Sequence, residues 1–353
     1  MLRPVMTVFA GFALLVGAVP ASAGVWRETS ERVLPATGLR AVRIENPSGL
    51  IQVRPSRDGR VHVSALKVIR GDAADHDRLA RGAKVEIGTD AGVLDLQVSY
   101  PSNVRVHLNV WDLFKGFDFP RVEVRLLVDV PPGLPVTLTS ASGDLSSDGL
   151  VAAQNLSSSS GDITVRNGGR VAATSASGDL FGIDCSGGTF RSTSGDVVVE
   201  GARGPVVIHT ASGDAAVNHA ADSLSVETVS GDIQVDRAAR GLIASTGSGT
   251  IEVKRAAGRV SIETASGDLG VGLEGPLAAA TITSGSGDID VRLTPGLGCD
   301  LEARTSNGTL DVALTVQMKT MSRQMISATV GRGGAPVTIR SSSGDIHVTS
   351  GGN

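Results

Sequence analysis

The chain has 353 residues, 41% of them apolar but only 3% aromatic, with 45 glycines and a formal net charge of −4. A mildly acidic, evenly spread charge offers phosphates no basic patch, which excludes a nucleic-acid partner. The length would allow two globular domains, but few aromatics and abundant small residues suit a thin, stacked architecture better than compact cores.

Residues 1–23 read as a secretory leader. Arg3 supplies the positive end, Val8 to Val19 an apolar run, and Ala21-Ser22-Ala23 a cleavage site. The run is short for a bilayer span and breaks at Pro20. No Cys follows the cleavage site, which argues against a lipid anchor, and no twin-Arg pair is present. The expectation is a mature chain starting near Gly24, in the periplasm, on the cell surface or outside the cell, without a transmembrane span. Losing Arg3 from 32 basic residues leaves 31 against 36 acidic ones, or −5.

Residues 24–135 are predicted to form an irregular N-terminal β region with early coils. Gly49 is preceded by Val42, Ile44 and Asn46 and followed by Ile51 and Val53. Gly92 is preceded by Val85, Ile87 and Thr89 and followed by Leu94 and Leu96, and reads as the corner of another coil. A short helix is expected near Ala73–Arg81. Trp111, Phe114, Phe117 and Phe119 hold four of the chain's ten aromatics. They are a candidate interaction loop, touching a partner or membrane; the preferred reading is a plug over the first coil.

From residue 136 to 353 one phrase recurs. Ser-Gly-Asp stands at Gly143, Gly161, Gly178, Gly195, Gly213, Gly231, Gly267, Gly287 and Gly344, with variants Gly249-Thr250 and Gly308-Thr309. Successive glycines are 18, 17, 17, 18, 18, 18, 18, 20, 21 and 36 residues apart. Apolar residues stand seven and five before the glycine and two and four after it, as in Val206, Ile208, Ala215 and Val217. That alternation marks two strands with one face inward. The residue three before the glycine is Ser or Thr, predicted to line the inside of the corner as a hydroxyl ladder. The glycine fits a turn whose backbone other residues resist. One such unit cannot bury its apolar face alone, so the coils must stack at about 4.8 Å. The fold class is therefore all-β, a single-stranded β-solenoid of about 18-residue coils with an irregular N-terminal cap. The segment Thr315–Ala335 interrupts the array and is expected to cap it. Cys185 and Cys299, about six coils apart on this count, are too distant to pair.

These phrases resemble the bacterial putative-adhesin family of β-strand-repeat proteins, domain of unknown function 4097. The likeness rests on the serial Ser-Gly-Asp-aliphatic-x-Val phrases and on Ile44-Glu45-Asn46-Pro47-Ser48-Gly49. It rests also on Val128-Asp129-Val130-Pro131-Pro132-Gly133 and on Val330-Gly331-Arg332-Gly333-Gly334. It implies a β-solenoid in the envelope or at the surface and brings no catalytic residues.

The most conspicuous candidate site is the Asp after each glycine: Asp144, Asp162, Asp179, Asp196, Asp214, Asp232, Asp268, Asp288 and Asp345. Calcium is one reading, but the calcium-binding nonapeptide repeat has a denser glycine pattern and a differently placed Asp. The preferred reading is structural, each Asp capping its own turn. Stacked carboxylates about 4.8 Å apart repel by roughly 1 kcal/mol in water, so an outer, solvated corner can carry them. Six histidines (His62, His76, His107, His209, His219 and His347) show no metal-ligand spacing, and no Ser stands in a nucleophile elbow. The expectation is a non-enzymatic envelope or surface protein, an adhesin, scaffold or stress sensor, without cofactor and with an envelope protein or surface glycan as partner. The alternative is a carbohydrate-active β-helix enzyme using paired carboxylates.

Overall fold

The computed structural model describes residues 17–21, 25–70, 80–100 and 121–351. Among them, regular structure is β apart from a helical turn at 80–82. The rest of the helix expected near Ala73–Arg81, and the aromatic loop with Trp111, Phe114, Phe117 and Phe119, lie outside the described residues. The chain forms two compact units. One is Met1–Ile163 with Asn167–Gly169, and the other is Thr164–Arg166 with Arg170–Asn353.

The first unit is built from β1 (Gly17–Ala21), β2 (Val25–Leu34), β3 (Ala41–Glu45), β4 (Ile51–Pro55), β5 (Val61–Arg70), β6 (Lys84–Asp90), β7 (Val93–Ser99), β8 (Arg121–Val130), β9 (Val136–Thr139), β10 (Leu145–Asp148) and β11 (Gln154–Ser158). Two strands make a coil, and coils stack by parallel pairing. β3 lies between β7 and β9, and β4 between β8 and β10, while β11 follows β9. The β3/β4 coil, first in the chain, is thus enclosed, and the later β7/β8 coil lies outside it. Antiparallel strands close that side. β6 pairs with β7, and β5, β2 and β1 follow one another beyond β8.

Gly92 is not a coil corner. It forms a two-residue hairpin turn with Ala91, joining β6 to β7 with Asp90 opposite Val93. Both turn residues have positive φ, 49° and 81°, the twist that two-residue hairpins favour. Val85 and Ile87 therefore belong to an antiparallel strand. The alternation holds along this strand but is the same for a hairpin arm and a coil strand.

In the second unit the coils of Gly178, Gly195, Gly213, Gly231, Gly249, Gly267 and Gly287 stack in chain order by parallel pairing. Aliphatic sits on aliphatic: Ala215 opposite Ile233 opposite Ile251, and Val217 opposite Val235 opposite Val253. These side chains are at most 2% exposed, and a fully buried Val or Ile contributes about 1.5–3 kcal/mol. Chain order then breaks. The Gly287 coil is followed by the Gly344 coil, with Ile282 opposite Ile339. The Gly308 coil comes after it, with Ala303 opposite the same Ile339. Met325–Val330 then pairs antiparallel with Cys299–Asn307, and Val316–Met321 pairs with Met325–Val330. The segment expected to cap the array does so. Cys185 and Cys299 are buried and are not joined in a disulfide. By strand pairing eight steps separate their coils rather than about six: chain order alone makes seven, and the inserted Gly344 coil adds the eighth.

The inward phase is tested at adjacent residues, since Ile233 is fully buried and Gln234 is exposed. Ile233→Asp puts an unpaired charge into the stack and is expected to cost several kcal/mol. Gln234→Asp should stay within about 0.5 kcal/mol. Thermal melts followed by circular dichroism check this, and equal losses would overturn the assignment of inward positions.

Candidate functional site

The repeated corner is where the sequence concentrates its polar residues. Inside it, the Ser or Thr hydroxyl accepts the N–H of the glycine three residues on, as in Ser192 to Gly195 (2.9 Å) and Thr210 to Gly213 (3.1 Å). The same hydroxyl donates to the glycine carbonyl of the preceding coil: Thr210 to Gly195 (3.3 Å), Thr228 to Gly213 (3.3 Å), Thr246 to Gly231 (3.1 Å). Buried hydroxyls thus obtain the partners that burial demands. Thr264 Oγ1 is the rung without one. A Cβ at Gly213 or Gly231 would collide with the glycine carbonyl of the coil before. Glycine is required there by the approach of its neighbour, whereas a positive φ enters at Gly249 and Gly267 (155° and 146°).

On the outside of the corner the Asp residues form a ladder, but not by capping their own turns as expected. Within each unit the carboxylates accept the backbone N–H of the next coil's corner. The Oδ1–N distances are 2.9 Å from Asp179 to Asp196, 2.9 Å from Asp196 to Asp214 and 2.8 Å from Asp214 to Asp232. They continue at 2.8 Å from Asp232 to Thr250, 2.9 Å from Asp268 to Asp288, 2.8 Å from Asp288 to Asp345 and 2.7 Å from Asp345 to Thr309. In the first unit Asp144 accepts Asp162 N–H at 3.1 Å. Stacking sets that N–H against the preceding coil's carboxylate, which no single-coil argument shows. The Thr309 N–H, and then its hydroxyl, hold the Asp345 carboxyl below the usual carboxylate range.

The ladder lacks rungs in two places. Thr250 supplies no carboxylate to Asp268, and Leu50 supplies none to Asp144, so neither N–H meets an acceptor among the described residues. At the second gap a groove of about 500 Å³ opens, lined by Ser48, Leu50, Arg70, Glu123, Arg125 and Asp144 among others. Arg125 Nε donates to Glu123 at 2.7 Å, and Arg70 forms no ion pair among the described residues. Below the groove the Tyr100 hydroxyl accepts Val124 N–H (3.2 Å) and donates toward Asn46 Oδ1 (2.8 Å) and the Ser48 carbonyl. Asn46, fully buried, takes the place of the corner hydroxyl and donates to the Val124 carbonyl at 2.7 Å. Burial pushes the Tyr100 phenol up to about 12. Leu50 was legible as a departure from Asp in the aligned repeat. Arg70 and Arg125 were not, because their strands carry no corner phrase.

Elsewhere the charged groups largely neutralise one another. Lys254 and Arg255 hold Asp236 at 3.1 and 3.3 Å, beside a trough of about 260 Å³. His62, His209 and His347 each pair with a single carboxylate. Among the described residues no group of three or more His, Cys, Asp or Glu is placed to hold a metal.

The family model of Toastrack DUF4097 matches residues 136–244 and again 238–349. No curated protein matches the chain. Solved structures similar to it include a putative cell adhesion protein from Clostridium sporogenes, 9% identical over 92% of this chain and 100% of that one, TM-score 0.23. A putative adhesin from Bacteroides fragilis is 11% identical over 91% and 96%, TM-score 0.26. A putative lipid binding protein from Parabacteroides distasonis is 13% identical over 90% and 96%, TM-score 0.31. Likeness at these scores carries no argument about this chain.

Two measurements test the corner. Asp214→Asn keeps an acceptor for Asp232 N–H and should be near neutral, whereas Asp214→Ala should cost about 1 kcal/mol. Chemical denaturation checks this, and equal losses would mean that charge, not acceptance, is what stacking uses. Tyr100 is the chain's one tyrosine, so ultraviolet absorbance titrates it alone, with an expected midpoint near 12 folded and about 10 denatured. Because the folded value is raised, this contribution to stability is present below pH 10 and is lost as pH rises from 10 to 12.

Proposed function

The chain belongs to the Toastrack DUF4097 family, and we propose that it is a non-enzymatic protein of the cell envelope or surface, serving adhesion or scaffolding. The observation that carries this reading is the engagement of the corner carboxylates. The recurrent acidic residues, the natural candidates for metal binding or catalysis, accept backbone N–H groups from neighbouring coils at 2.7–3.1 Å. They serve stacking, which leaves the outward positions of the strands as surfaces for display. Export is supported by the Ala21-Ser22-Ala23 phrase behind its apolar run. No helix among the described residues is long and apolar enough to cross a membrane, which says nothing of a β-barrel.

The reading is tested by fractionating cells and sequencing the N-terminus of the recovered protein. It should start near Gly24 and be found in periplasmic, surface or medium fractions. The purified chain should release no reducing ends from a panel of acidic and neutral polysaccharides. A cytoplasmic, unprocessed chain would overturn the location, and turnover would favour the carbohydrate-active alternative. Melting in excess calcium and then in chelator should agree within a degree or two. A shift of many degrees would make the Asp ladder a metal site.

A further inference from the structure

We propose that the groove at the Leu50 gap binds the carboxylate of an acidic sugar, in the position of the missing rung. The inference goes beyond the display reading, since it holds wherever the chain resides. The fold itself shows what this position takes. At other steps of the ladder an exposed corner N–H is met by a carboxylate oxygen, as Asp162 N–H is met by Asp144 Oδ1 at 3.1 Å. One coil further out the register sets Ile51 opposite Leu145, so Leu50 stands where a ladder Asp would stand and Asp144 N–H is left without an acceptor. One coil further still, Ile51 is opposite Leu126, which puts Arg125 in the same column. Arg70 lines the same groove from the end of β5. An open backbone N–H and two arginines lining one groove make a receptor for a carboxylate.

The groove is also larger than a carboxylate. Its volume of about 500 Å³ lies in the range of small-molecule sites. Ser48, Ser142 and Glu123 offer partners for ring hydroxyls, and Leu50, Val68 and Val122 offer apolar surface for the C–H face of a ring. An aspartate side chain from a peptide would occupy only the carboxylate end. Asp144 does not compete for this place, because its own carboxylate is turned to the next coil. The Arg125–Glu123 contact offsets part of the positive charge, so binding is weak and salt-sensitive.

The probes are galacturonic acid, galactose and N-acetyl-aspartate amide, titrated into the full-length chain by calorimetry or by chemical-shift changes. Galacturonic acid should saturate, with the other two at least tenfold weaker. Arg70→Ala, at an exposed position, should weaken galacturonic acid at least tenfold. Leu50→Asp supplies the missing carboxylate from within the chain and should abolish binding while the melting temperature holds or rises. Galactose binding as well as the acid would overturn the carboxylate requirement. Equal binding of the aspartate amide would overturn the sugar. Unchanged binding by folded Leu50→Asp, or no binding of any probe, would overturn the site. If Leu50→Asp fails to fold, the Arg70 variant and the comparison of acid with neutral sugar still decide.

Discussion

Everything in the array depends on how closely one coil's corner approaches the next. The glycine carbonyl of one coil lies against the glycine Cα of its neighbour, where no side chain can stand. That approach puts the buried Ser or Thr hydroxyl between two coils, so that it accepts within its own turn and donates backward. It also puts the Asp carboxylate within 2.7–3.1 Å of a foreign N–H. Three residues of a short phrase thus act between coils, not within one. The spacing of 17 or 18 residues follows, since each corner must return to the same column to meet the next.

The same pairing rule explains how each unit closes. A parallel stack leaves an edge whose N–H and C=O groups need partners. Both units meet this with antiparallel strands: β5, β2 and β1 beyond β8 in the first, and Met325–Val330 with Val316–Met321 in the second. In both, the coil next to those strands is not the one nearest the chain terminus. The β3/β4 coil is enclosed by β7/β8, and the Gly344 coil by the Gly308 coil. The first or last stretch of coil is thereby paired on both sides, which suits a segment that would otherwise fray.

A fold whose polar residues serve its own stacking becomes available to a ligand where the repeat is broken. The corner phrase is complete where carboxylate, N–H and hydroxyl satisfy one another. At Leu50 the phrase lacks its carboxylate, and the groove, the two arginines and the open N–H of Asp144 occur together. Thr250 leaves a comparable N–H at Asp268, but that corner lines neither groove described above.

The inward positions, the solenoid class, the hydroxyl ladder and the cap near residue 320 were legible in the sequence, because each is a property of one coil repeated. Alternation sets which side chains face inward, and recurrence of Ser-x-x-Gly-Asp shows that the coils are equivalent. Three things were decided only by tertiary structure. The Asp carboxylates cap the neighbouring coil and not their own. The Gly92 turn is a hairpin, and the Gly344 coil sits inside the Gly308 coil. All three concern which segment lies beside which. An alternating strand presents the same pattern to a parallel neighbour, an antiparallel neighbour or a coil distant in the chain, so the choice among partners is made by packing. Arg70 and Arg125 were illegible for the same reason. Nothing in β5 or β8 marks them, and they matter only because pairing carries both to the corner that Leu50 leaves open.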